Sequence, residues 1–227
     1  MQKKKYRHEY KHFVSVSDYL AISRRLSVIA KRDPYAGEDG RYRIRSLYFD
    51  NADNKALIEK LTGVDNREKF RLRIYNESDT YIKLEKKCKE NGLCRKLSRR
   101  ITREECDRLL SGDIGWMKAS DSGLLMELYT KMYNQQLRPK TLVEYVREPF
   151  IYPPGNVRVT FDSQIRTGIS STELFSDAVP TIRSAPGTVI MEVKYDAFIP
   201  EIICDVLQTR DRRCSTFSKY AACRIYG

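Results

Sequence analysis

Residues 69–76 read KFRLRIYN, placing Lys69, Arg71 and Arg73 at every second position with Phe70, Leu72 and Ile74 between them. Side chains along a β-strand alternate between its faces, so a strand here has one cationic and one apolar face. The same period recurs through the chain. Glu9 alternates with Lys11, Arg41 with Arg43 and Arg45, and Lys83 with Glu85 and Lys87. Tyr145 and Arg147 stand two apart, as do Arg158 and Thr160, and Glu192 and Lys194. For any single strand, a solvated outer face accounts for the charge. Repeated over so many strands, the pattern also fits a sheet closed into a barrel with its charged faces inward. Like charges gathered inside are prohibitively costly unless an anion and water compensate them. A phosphate chain supplies that compensation, and the planar guanidinium fork suits phosphate oxygens.

The alternating segments fall among helical ones. Residues 6–16, 41–50, 67–76, 79–88, 93–101, 140–152, 156–166 and 187–196 read as strands. Residues 67–76 and 79–88 form a hairpin through the polar link at 77–79, and Pro153-Pro154 stops the strand before it. Helices are expected over 17–32, with Ser17 or Asp18 as N-cap, over 51–63, ending at Gly63, and over 102–112. The last opens with a capping box, Thr102 and Glu105. Residues 120–136 and 200–210 and the C-terminal end are also read as helical. Residues 169–186 read as a long surface excursion. Without regular βαβ alternation, the order describes an α+β fold rather than a doubly wound parallel sheet. No repeat or linker divides the chain, so residues 1–227 are expected to form a single domain.

Charge narrows the partners. Lysine and arginine number 42 against 30 acidic residues, a net charge of +12. That excess points to an anion: nucleic acid, a phosphorylated small molecule, polyphosphate or a lipid surface. No nucleic-acid-binding signature accompanies it, which disfavours that class. No apolar run is long enough to span a bilayer and the first residues lack the apolar core of a signal peptide, so a cytoplasmic location is expected. The six cysteines are therefore read as free thiols. With His8 and His12 as the only histidines, a zinc site is disfavoured.

Three carboxylates, Glu9, Glu85 and Glu192, each lie two residues from a lysine. Two readings stand open: they hold Mg²⁺ or Mn²⁺ against phosphate oxygens, or they form cross-strand ion pairs with lysine. A P-loop, a dinucleotide-binding glycine motif and a nucleophile elbow are all missing. Phosphoryl transfer would then rest on positioning, cations and metal, which suffice for it.

The segments RHEYKH, SLYFDN, KFRLRIY, LEKK, EYVREPF, VRVTFD, MEVKYD and FSKY occur here in the order found in VTC domains. Residues 5–220 thus resemble the polyphosphate polymerase domains of the vacuolar transporter chaperone complex and their bacterial relatives. These are triphosphate tunnel metalloenzymes, related to the CYTH proteins. The resemblance implies a closed eight-stranded antiparallel tunnel barrel with a polar, basic lumen and helices packed outside. It also implies transfer of the γ-phosphate of ATP to a growing polyphosphate chain with Mn²⁺ or Mg²⁺. Arg71, Arg73, Lys87, Arg147, Arg158 and Lys219 would act on the phosphates. Lys11, Lys96 and Lys194 would bind them, with hydrogen bonds from Tyr145 and Ser218. Arg95 or Arg99 would replace Lys96 in a shifted alignment, and either Arg43 or Arg45 would face the lumen. Glu192 would hold the metal, with Glu85 and Glu9 beside it.

The partners so implied are ATP, inorganic polyphosphate and pyrophosphate or phosphate. The SPX domain and membrane anchor of large eukaryotic members are not in this sequence, which leaves a membrane partner for the product open. Hydrolysis of tripolyphosphate or a nucleoside triphosphate is the alternative activity, and passive binding of polyphosphate or nucleotide the alternative class. Cyclase activity is disfavoured, since the motifs are of VTC rather than CYTH type.

Overall fold

The structure is a computed structural model that describes residues 7–208 and 213–225. Eight long strands carry the fold: β1 (His8–Val14), β3 (Tyr42–Asp50), β4 (Arg67–Tyr75), β5 (Ile82–Glu90), β6 (Leu93–Ile101), β7 (Arg138–Tyr152), β8 (Val157–Thr167) and β10 (Val189–Tyr195). Three two-residue strands, β2 (Lys31–Arg32), β9 (Ile182–Arg183) and β11 (Arg213–Cys214), attach to them. The helices are α1 (Val16–Ile29), α2 (Lys55–Leu61), α3 (Arg103–Ser111), α4 (Gly123–Asn134), α5 (Glu201–Val206) and α6 (Lys219–Ile225). All strand pairings are antiparallel, and the main path runs β11-β1-β10-β8-β7-β3-β4-β5-β6.

This sheet curls into a half-barrel. The closed barrel expected from the sequence is not formed as a continuous ladder. Among the described residues, β1 and β6 meet through one isolated bridge between Arg7 and Cys94, with N–H···O distances of 3.2 and 3.5 Å.

Alternation decides what lies on each side. Phe70, Leu72 and Ile74 of β4 turn outward with Ile82 and Leu84 of β5. They pack against Cys106 and Leu109 of α3 and Leu125, Leu128 and Met132 of α4. On the other flank, Ile22 and Leu26 of α1 and Ile203 of α5 cover Val159, Phe161, Met191 and Val193. Each fully buried side chain of this size stabilises by about 1.5–3 kcal/mol. The apolar faces thus bind the helical shell and leave the charged faces inside. At one end α6 enters the curl, where Tyr220 and Cys223 pack with Tyr42, Ile44, Tyr48 and Tyr145.

Local signals place the helices. The capping box of α3 forms: Thr102 Oγ1 accepts from Glu105 N at 3.0 Å, and Glu105 accepts from Thr102 N at 2.8 Å. α2 begins later than the sequence pattern predicts, because Asp50 holds the preceding turn by accepting from the amides of Asn51, Ala56 and Leu57. The segment 169–186 is not a bare excursion. Leu174 is buried in the α3–α4 core, and Ile182–Arg183 pair with β8. Cys88, Cys94, Cys106, Cys204 and Cys223 are free thiols, while the Cys214 side chain lies outside what is described.

Candidate functional site

The concave face of the half-barrel encloses a cavity of about 350 Å³. Lys11, Arg71, Arg73, Lys87, Lys96, Tyr145, Arg147, Arg158, Lys194, Ser218 and Lys219 all line it, with Glu9 and Glu192. Twelve basic side chains face two carboxylates on its wall. Period two is the cause: β4 contributes Lys69, Arg71 and Arg73 from one face, and β7, β8 and β10 contribute Tyr145 with Arg147, Arg158 with Thr160, and Glu192 with Lys194.

Four groups of ion pairs hold the wall. Arg71 donates from Nε to Glu85 at 2.8 Å and from Nη1 to Tyr48 Oη at 2.7 Å, while Lys96 reaches the other Glu85 oxygen at 3.1 Å. Arg73 donates to Ser46 Oγ at 3.1 Å and Tyr145 Oη at 3.0 Å. Around Glu9, Lys87 spans both carboxylate oxygens at 2.7 and 2.8 Å, Lys11 stands at 3.1 Å and Lys194 at 3.6 Å. Lys11 and Lys194 also pair with Glu192. Arg147 and Lys219 share Asp162, and Arg158 donates to Asp33 at 2.6 Å and Tyr42 Oη at 3.0 Å.

The electrostatics follow the pairs. Burial opposes ionisation of Glu85, but Arg71, Arg73 and Lys96 outweigh it and hold the carboxyl well below its usual range. Glu192 is held well below in the same way, burial being outweighed by Lys194, Lys11 and Lys87. Asp162 is lowered to about 2, against burial, by Arg147 and Lys219. Glu9 is also lowered, although burial and the adjacent Glu192 both raise it.

A match to the family model described as VTC domain covers residues 6–225. The chain belongs to the VTC domain family. Among solved structures, this VTC domain is similar to a Hippeastrum protein described as an adenylyl cyclase with a dominant triphosphatase activity. The TM-score is 0.56 at 13% identity, covering 98% of this chain and 96% of that one. A Bacillus halodurans protein described as an adenylate cyclase aligns with TM-score 0.49 at 16% identity, over 84% of this chain and 80% of that one. No curated protein matches the sequence.

Glu85 is turned to Arg71 and Lys96 and, unlike Glu9 and Glu192, is not among the residues that line the cavity. Two expectations about the VTC domain's side chains change. Neither Arg43 nor Arg45 faces the lumen. Arg45 is buried on the outer side against Glu144 and the carbonyl of Ser176, and Arg43 pairs with Glu77 at the surface. The lumen positions of β3 are instead taken by Tyr42, Ser46 and Tyr48, as their bonds to Arg158, Arg73 and Arg71 show. Arg99 turns away to Ser120 and Glu105, whereas Arg95 lines the cavity beside Lys96. Sequence reasoning missed Asp162, Asp33 and Tyr48, and set Lys69 on the cationic face of its strand without giving it a role. The signal for Asp162 was present, two residues beyond Thr160 on the same face.

Glu9 and Glu192 fit a divalent cation. They repel each other across two shared lysines and offer hard oxygens to a cavity built for anions. Among the described residues no three acidic, histidine or cysteine side chains converge as a complete ligand set. The remaining ligands would therefore be phosphate and water oxygens, the usual arrangement for Mg²⁺.

Proposed function

We propose that this VTC domain transfers the γ-phosphoryl group of ATP to the end of a polyphosphate chain held in the half-barrel. The observation that carries the reading is the wall itself, twelve basic side chains against two carboxylates in one cavity of a VTC-family chain. Charge in phosphoryl transfer spreads over the equatorial oxygens, so positioned cations are the main catalytic resource. Arg71 and Arg73 clasp the phosphates from β4, and Arg147, Arg158 and Lys219 face them from the other wall. Lys11, Lys87, Lys96 and Lys194 bind the chain, and Tyr145 and Ser218 orient it. Glu192, with Glu9, would hold Mn²⁺ or Mg²⁺, which when bound neutralises phosphate charge. In this reading the β1–β6 seam closes to complete an eight-stranded tunnel.

The test is incubation with radiolabelled ATP and Mn²⁺. Long polyphosphate and ADP are the expected products. Free phosphate without chain growth would instead establish the alternative, hydrolysis of tripolyphosphate or a nucleoside triphosphate, for which the Hippeastrum protein of shared fold is described.

A further inference from the structure

Lys69, Lys87 and Lys96 stand directly opposite one another on three adjacent strands, with Lys69 paired to Lys87 and Lys87 to Lys96 in the ladder. Like charges in register are destabilising, so such a row needs compensation. Lys87 has it from Glu9, and Lys96 from Glu85. Lys69 makes no ion pair among the described residues. Its ammonium donates to Ser218 Oγ at 3.3 Å and lies 5.6 Å from the centre of the Tyr48 ring.

The position of Lys69 is as informative as its charge. A second cavity of about 240 Å³ adjoins the central one, and both are lined by Lys69, Lys87, Lys11 and Ser218. Lys60, Arg67 and Lys89 line the outer space and not the central one. Lys69 therefore sits at the neck between two basic chambers.

We propose that Lys69 is a phosphate-binding residue of this neck, contacting a polyphosphate chain that extends from the central cavity into the outer one and giving the site its preference for long chains over triphosphate. The inference rests on the cavity being a phosphate-chain site, and not on polymerase chemistry. Burial, then Lys87, Lys11 and Arg71, depress the protonation of Lys69, and Glu9 opposes them only in part. An anion at the neck removes that conflict.

The test compares binding of inorganic tripolyphosphate and long-chain polyphosphate by calorimetry at matched salt. Lys69→Met keeps the apolar stem and removes the charge. It should weaken long-chain binding about tenfold, the ratio expected for losing one charge-assisted hydrogen bond, and tripolyphosphate binding by a clearly smaller factor. Lys69→Arg should restore most of the loss. Equal loss for both ligands, or loss for neither, overturns the proposal. A second measurement needs no variant: acylation of Lys69 in the wild-type protein, read by mass spectrometry. Long-chain polyphosphate should protect Lys69 more strongly than tripolyphosphate at equal site occupancy; equal protection, or none, overturns the neck assignment. Neither readout uses turnover. A protein that behaves as stated but makes no polyphosphate would refute the polymerase reading and leave this one standing.

Discussion

Arg147 of β7 grips Asp162 of β8 through two hydrogen bonds of 2.6 and 2.7 Å, directly across the strand ladder. Asp162 is fully buried and also takes Lys219 of α6 at 2.5 Å. One carboxylate thus fixes two cations assigned to the phosphates and ties the C-terminal helix to the sheet. Asp162→Asn should lower stability by about 3–5 kcal/mol, the cost of breaking a buried pair. It should also leave the cavity more positive, so added tripolyphosphate should recover part of the loss. Thermal melting with and without the ligand checks both; an unchanged melting temperature would contradict the structural role of Asp162.

Arg71 and Arg73 couple affinity to stability. Replacing both by alanine removes two cationic phosphate contacts but also leaves buried Glu85 with Lys96 alone. ATP affinity should collapse, and stability should fall by about 3–5 kcal/mol as well. Adding Glu85→Gln to the double variant should return much of the stability and none of the affinity. A denaturant titration beside a binding titration separates the two effects. Full affinity in the triple variant would refute the inward assignment of these arginines.

These pairs also show what the sequence could reveal. Period-two alternation grouped Arg71 with Arg73, Lys87 with Glu85, Tyr145 with Arg147, Arg158 with Thr160 and Glu192 with Lys194 on shared faces, because side-chain direction along a strand is a local property. The same rule misled for β3. Arg43 and Arg45 alternate as cleanly as Arg71 and Arg73, yet they lie outside, where Glu77 and Glu144 await them. Alternation tells that charges share a face but not which face, and only the partners brought by distant segments decide. Asp33 is a case of that kind, reaching Arg158 from a loop 125 residues away. The incomplete closure was equally hidden, since it depends on register between the first and sixth strands and not on either alone.

Stability should fall in acid for a reason the wall supplies. Asp162 is lowered from its ordinary 3.8 to about 2 in the folded protein. Folded-state depression of an acid stabilises above the unfolded pKa and is lost as pH falls through the folded one. Asp162 therefore contributes about 2 kcal/mol above pH 4 that disappears toward pH 2. Glu9, Glu85 and Glu192, all lowered from 4.5, act with the same sign. The urea midpoint should hold to about pH 5 and then drop steeply, with a shallower slope in Asp162→Asn. A midpoint that stays flat to pH 3 would show that these carboxylates are not ionised in the native wall.

Glu192→Gln separates catalysis from passive binding. Glu192 is buried, pairs with Lys194 and Lys11, and with Glu9 provides the oxygens best placed for a divalent ion. Losing its charge leaves the two lysines more available to phosphate. Polyphosphate binding in the absence of metal should therefore hold or tighten. Metal-supported turnover should fall by about a hundredfold or more, since the cation-binding carboxylate is gone while the anion-binding wall remains. Measured together, the two quantities move apart only if Glu192 serves a metal. A joint loss would make Glu192 a structural member of the lysine network, and unchanged turnover would remove it from the active site. Stability is the control: the lysines retain Glu9 as partner, so the melting temperature should change less than in Asp162→Asn, where Asp162 is the carboxylate that both Arg147 and Lys219 pair with directly.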